Sequence, residues 1–170
     1  MTYLSPIRSA LLCLSLILMT LPLTPALAQG TNVAFGTIRQ DTNQPVEVTA
    51  DNLEVDQETG TAIFTGNVLI GQGEMRLSAA RVLVVYRAEN KVIARLEATG
   101  GVTLVSGPDA AEAQRADYDI EDGTIVMTGN VLLAQGASAL SADRMSVRLS
   151  DGTAQMSGRV KTILQTGSDN

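Results

Sequence analysis

Thr65-Gly66-Asn67-Val68 is the stretch on which the fold turns, because the same signal returns as Thr99-Gly100-Gly101-Val102, Thr128-Gly129-Asn130-Val131 and Ser157-Gly158-Arg159-Val160. The glycines lie 34, 29 and 29 positions apart, a period of stacked supersecondary units rather than of a catalytic motif. Two copies extend further: TGNVLIGQGEMRLSAAR from Thr65 aligns without a gap to TGNVLLAQGASALSADR from Thr128, at a shift of 63.

Side-chain parity decides what the glycine does. A Gly-Asn hairpin turn would put Phe64 and Leu69 on one face. A strand that bends at Gly66 and continues instead keeps Ala62, Phe64, Val68 and Ile70 together, with Thr61, Thr65 and Asn67 opposite. The second pattern fits, and it recurs: Ile125, Met127, Val131 and Leu133 share a face, as do Ala154, Met156, Val160 and Leu164. Each glycine is therefore expected to be a corner in one long strand, the device that carries a strand from one layer of a sandwich to the other.

Working outward, residues 1–28 carry one arginine, an apolar run over 10–18 and Ala26-Leu27-Ala28, which reads as a secretory signal cleaved after Ala28. The run is shorter than the roughly 20 residues of a membrane span. Cleavage there leaves 142 of the 170 residues, with no cysteine and no histidine, enough for one domain held by burial and backbone pairing. Its net charge is −7 (11 − 18), which disfavours nucleic acid or an anionic membrane surface as partner.

A flexible leader over 29–43 precedes alternating segments that fill 44–165, and a disordered tail over 166–170 follows. Pro45 opens the first segment, where Val46 and Val48 alternate with Glu47 and Thr49. Turns are expected at Gln57-Glu58-Thr59-Gly60, Gly71-Gln72-Gly73, Glu89-Asn90, Gly107-Pro108-Asp109, Asp122-Gly123, Gln135-Gly136 and Asp151-Gly152. Residues 108–115 are the least regular, and 110–115 could form a helical turn. The class is all-β, antiparallel, with inner rows of Val, Leu, Ile, Ala and Met, since aromatics are only 3% and tryptophan is absent. Such slender and flexible side chains suit either an ordinary sandwich core or an interior that receives something long and apolar.

Asp41-Thr42-Asn43-Gln44-Pro45-Val46, the TGNV(L/I)xxQG pattern at Thr65 and Thr128, and Leu77-Ser78-Ala79 together resemble the LptA (OstA-like) family of periplasmic lipopolysaccharide transport proteins, over 41–164. The resemblance implies a twisted, V-shaped open β-jellyroll of about sixteen strands. It also implies a groove for lipid A acyl chains and end-to-end stacking into a bridge, with LptC at the N-terminal edge and LptD at the C-terminal edge. Glu47 stands where the family can have histidine and Leu104 where it can have an aromatic, while Tyr118 is kept. The inner rows would line the groove: Val46, Val48, Phe64, Val68, Ile70 and Met75, then Leu77, Leu96, Val102, Leu104, Tyr118 and Ile120, then Met127, Val131, Leu140, Val147 and Met156. The partner edges would be Val46, Glu47, Val48 and Thr49 at one end and Arg159, Val160, Lys161, Thr162, Ile163 and Leu164 at the other.

Other functions fare less well. Without histidine or a cysteine beyond Cys13, histidine-based triads and His or Cys metal sites are impossible. No enzyme activity, cofactor or metal is expected. Asp117, Asp119, Glu121 and Asp122 form the densest acidic run and read as a solvated strand end rather than a Ca²⁺ site. A structural β-repeat module and an LptC-like jellyroll are the alternatives.

Overall fold

The computed structural model describes residues 31–34 and 44–163. The expected signal over 1–28, most of the leader, Leu164 and the tail lie outside the described residues.

Among these residues the chain is all strand and turn. β1 is Thr31–Ala34, β2 Glu47–Thr49, β3 Asn52–Asp56, β4 Thr61–Gln72, β5 Met75–Tyr86, β6 Ile93–Ser106, β7 Asp109–Asp119, β8 Thr124–Gln135, β9 Ser138–Arg148, β10 Thr153–Ser157 and β11 Lys161–Ile163. β4 to β9 form an antiparallel meander, each strand pairing with the next. The ends of the meander are broken strands. β2 and β3 pair with the two halves of β4, and β10 and β11 pair with the two halves of β9.

The glycine corners are where the sequence pattern places them. Gly66, Gly129 and Gly158 have φ of +78°, +85° and +74°, and Asn67, Asn130 and Arg159 after them stay left-handed at +45°, +51° and +44°. In β6 the pair is Gly100-Gly101, at +88° and +85°. The neighbouring strand supplies one residue to each pair: Asp51 before Gly66, Ala80 before Gly100, Gln114 before Gly129, Asp143 before Gly158. The ladder therefore shifts at the corner in every pairing within β4 to β9. Two-residue and one-residue corners alternate across the sheet, and they line up into a single fold line.

That alternation explains the parity. On glycine strands inner residues flanking the corner are four apart (Phe64 and Val68, Met127 and Val131), and on the others three apart (Ala79 and Val82, Ala113 and Ala116). Nearly all of these inner side chains are buried. A lone sheet could not hide one face so completely. The halves on either side of the fold line close face to face like the leaves of a book, and the apolar inner rows of both are the core.

Four expectations need correction. Residues 110–115 are not a helical turn: they lie in β7, where Ala111, Ala113 and Ala116 face inward opposite Leu104, Val102 and Ala98. Tertiary burial overrides the weak strand propensity of alanine. Asn52–Asp56, unassigned from sequence, is a strand whose Leu53 and Val55 pair with Phe64 and Ala62. Thr31–Ala34, inside the expected flexible leader, pairs with β10. Among the described residues the strands number eleven rather than about sixteen, because six of the eight corner-crossing rows run through the bend as one strand and count once each, while β1 adds one.

Candidate lipid-binding interior and sheet edges

The interior is built by period-two alternation carried through the corners. Of the residues expected to line a groove, Val68, Ile70, Met75, Leu77, Leu96, Val102, Leu104, Tyr118, Met127, Val131, Leu140, Val147 and Met156 are buried on the inner face. Val46, Val48, Phe64 and Ile120 are partly buried and pack against that core from its rim. These side chains form one continuous apolar layer from β4 to β10. Sequence reasoning left Met145, Leu149 and Ala154 out of this set, although they are as deeply buried. Their inward parity was the available signal.

The margin opposite the fold line is polar and latched. Tyr118, at the end of β7, donates its hydroxyl to Gln72 Oε1 at 2.6 Å, and Gln72 Nε2 donates to the Gln44 carbonyl at 2.9 Å. β7 and β4 are three strands apart in the sheet, so this bond crosses the interior and ties one leaf to the other. Gln135 repeats the theme by donating to buried Asp109 at 2.9 Å. The recurring Gln-Gly at the turns thus serves two ends: glycine turns the chain, and glutamine folds back to bind polar groups at the margin.

Burial pushes the Tyr118 hydroxyl up to about 12, against a smaller opposing effect of its bond to Gln72. The folded state therefore holds this group neutral where the unfolded chain would release the proton. Stability from it is complete below pH 10 and is lost as pH rises from 10 toward 12, at up to roughly 1.4 kcal/mol per pH unit. Tyr118→Phe should flatten this alkaline decline in denaturant titrations at pH 9 and 11. An unchanged slope would show that the hydroxyl is not held as described.

Three carboxylates of the acidic run have protein partners. Asp117 takes two hydrogen bonds from Arg115, which also binds Glu97 at 2.8 Å. These carboxylates, Asp117 first, raise the Arg115 pKa. Asp119 accepts the backbone N–H of Glu121 and of Asp122 at 3.0 Å each, and Glu121 pairs with Arg87. Among the described residues no cluster of three or more carboxylates could hold a metal.

The edges differ from the interior in leaving apolar side chains open. Leu53 is 56% and Val55 59% exposed on β3, although their register points them inward. At the opposite edge Val160, expected on the inner face with Met156, is 37% exposed, because no further strand covers it. The expected edges were too short. They comprise β2 with β3 at one end and β10 with β11 at the other, and β10 carries β1 on its outer side. Charge is divided between them: residues 44–56 hold Glu47, Asp51, Glu54 and Asp56 and no base, whereas 153–163 hold Arg159 and Lys161 and no acid.

A family model described as LptA/(LptD N-terminal domain) LPS transport protein matches residues 47–160, from β2 to the last corner. The chain belongs to this family. An uncharacterized protein of Rhizobium meliloti is 33% identical over 109 residues, 60% of this chain and 59% of that one. LptH of Pseudomonas aeruginosa is 37% identical over 65 residues, 37% of each chain, and LptA of Haemophilus influenzae 36% over 52 residues, covering 31% and 30%. This chain thus spans about three fifths of the first relative and about a third of the other two. In three dimensions the crystal structure of Pseudomonas aeruginosa LptH, a periplasmic component of a lipopolysaccharide transport device, superposes with a TM-score of 0.66. That match covers 74% of this chain and 99% of LptH at 17% identity, which establishes the fold. The LptA-like family thus shares the folded antiparallel sheet seen here.

Proposed function

We propose that this protein binds lipopolysaccharide by its lipid A acyl chains between the two leaves. In this reading copies assemble end to end into a periplasmic bridge, with an LptC-type partner at the β2–β3 edge and an LptD-type partner at the β10–β11 edge. The observation that carries the reading is the apolar inner face, which crosses every row and reaches both ends of the sheet. Exposing a twelve-carbon acyl chain to water costs roughly 10 kcal/mol at about 0.8 kcal/mol per CH₂. A lipid with several such chains needs a continuous apolar track. Because the inner rows are already packed together, acyl chains enter by parting the leaves about the fold line, with the Tyr118–Gln72 bond giving way. The phosphates, anionic like the protein, stay in solvent. The chemistry is carriage, with no bond made or broken.

Assembly follows from strand count and polarity. Eight rows cross the corners, so the last runs antiparallel to the first and a second copy continues the meander with β3 beside β10 and β2 beside β11. The corner alternation also continues, since Asp51 of the incoming copy arrives beside Gly158-Arg159 as Ala80 lies beside Gly66-Asn67. This contact is heterologous and propagates instead of closing into a dimer. Acidic and basic edges attract, so self-association should weaken by roughly an order of magnitude between 50 and 500 mM salt. Sedimentation across a concentration series measures this, and a monomer at every concentration would contradict the bridge.

Binding is tested by organic extraction of protein purified from cells that make lipopolysaccharide, with mass spectrometry of the extract. Lipid A in stoichiometric amount is expected. Lipid-free protein that still self-assembles would identify a structural module instead.

A further inference from the structure

β1 covers the outer side of β10 in the register Thr31 to Met156, Asn32 to Gln155, Val33 to Ala154 and Ala34 to Thr153. Continuing the repeat across the junction gives the register of an incoming second copy. Asn52 pairs with Thr65 immediately before Gly66, so by the same rule incoming Asn52 pairs with Ser157 immediately before Gly158. Leu53 then falls opposite Met156, Glu54 opposite Gln155, Val55 opposite Ala154 and Asp56 opposite Thr153. These are the four positions that β1 occupies. Thr-Asn-Val-Ala stands where Leu-Glu-Val-Asp would go, keeping the valine, with threonine for leucine and without the two carboxylates.

Resting on the end-to-end reading, we infer that β1 is a built-in stand-in for β3 of a second copy, capping the C-terminal edge until that copy arrives. The cap is partial. It covers β10 but not β11, which pairs with β9 on one side only among the described residues. An incoming β2 can settle on β11 first, beside Lys161 and Thr162, and pairing then proceeds through the corner, where incoming β3 displaces β1. The displacing strand is one residue longer and carries leucine where β1 has threonine, and it brings Glu54 and Asp56 toward an edge whose bases are Lys161 and Arg159, the latter paired with Asp143. Between encounters, the cap hides an unpaired strand edge from unrelated chains.

Consecutive N–H groups of a strand point to opposite sides, so prolines at two neighbouring positions remove whichever one faces β10. Asn32→Pro with Val33→Pro, and separately a full chain lacking residues 31–34, should each self-associate about tenfold more tightly in sedimentation, the factor expected if β1 occupies the edge nine-tenths of the time. Melting temperature in dilute solution should stay near that of the parent. Variants that associate as the parent does, or more weakly, overturn the cap while leaving assembly intact. If parent and variants all remain monomeric, assembly itself is wrong and the cap with it.

Discussion

Replacing Met127 by aspartate is expected to abolish stable folding, whereas Leu132→Asp, five residues later on the same strand, should cost no more than about 1 kcal/mol. Met127 is fully buried between the leaves, and Leu132 is an outer-face residue, 43% exposed. A carboxylate at the first position has no cation to pair with and no water to solvate it. The cost, about 4 kcal/mol or more, is a large part of the total stability of a domain this size. Met127→Ala removes packing without adding charge and should cost about 2–5 kcal/mol. Urea titrations of the three variants give the comparison. Equal tolerance at Met127 and Leu132 would mean that the inner and outer faces are assigned the wrong way round.

Gly100→Ala should be among the most damaging single methyls added to the sheet. With φ at +88° and an added methyl falling 2.8 Å from the Ala80 Cβ, the new group is both conformationally strained and crowded by a neighbour that has no flexible end to move aside. A loss of about 2–4 kcal/mol is expected from the two effects together. Gly101 provides the control. Its φ is +85°, nothing lies within 4 Å of an added Cβ, and the matching positions of the other corners are filled by Asn67, Asn130 and Arg159. Gly101→Asn should therefore stay within about 1 kcal/mol of the parent. Similar melting of the two variants would mean that Gly100 is not packed against Ala80 at the fold line.

The corners were legible in the sequence because glycine is needed there and because alternation carries across it, so Phe64 and Val68 announce their shared face. β5, β7 and β9 were harder, since their one-residue corners contain no glycine and shift parity between Ala79 and Val82 or Ala113 and Ala116. Alanines made β7 look partly helical, although what fixes them is the narrow space opposite Val102 and Leu104. β3 and β1 escaped notice for another reason. Leu53 and Val55 alternate with Asn52, Glu54 and Asp56, but the segment is short and acidic, and the pairing of Thr31–Ala34 with residues more than a hundred positions away has no local signal.

The interior was legible as a face but not as a space. Parity says which side chains point inward, and it is silent on how far apart the leaves stand. The latch between Tyr118 and Gln72 joins strands that are distant in both sequence and sheet, so the glutamine looked like a turn residue alone. Likewise the uneven division of acids and bases between 44–56 and 153–163 was visible in the residues, but it acquires meaning only when both segments prove to be sheet edges.

The most direct test of lipid carriage between the leaves is photo-crosslinking in living cells, with a benzoyl-phenylalanine in place of Phe64, which is partly buried at the inner rim. The same probe in place of Leu69, 42% exposed on the outer face of the same strand, is the reference. Adducts with lipopolysaccharide at position 64 and none at position 69 are the predicted result, and an absence of adducts at 64, or equal yields at the two positions, would contradict it.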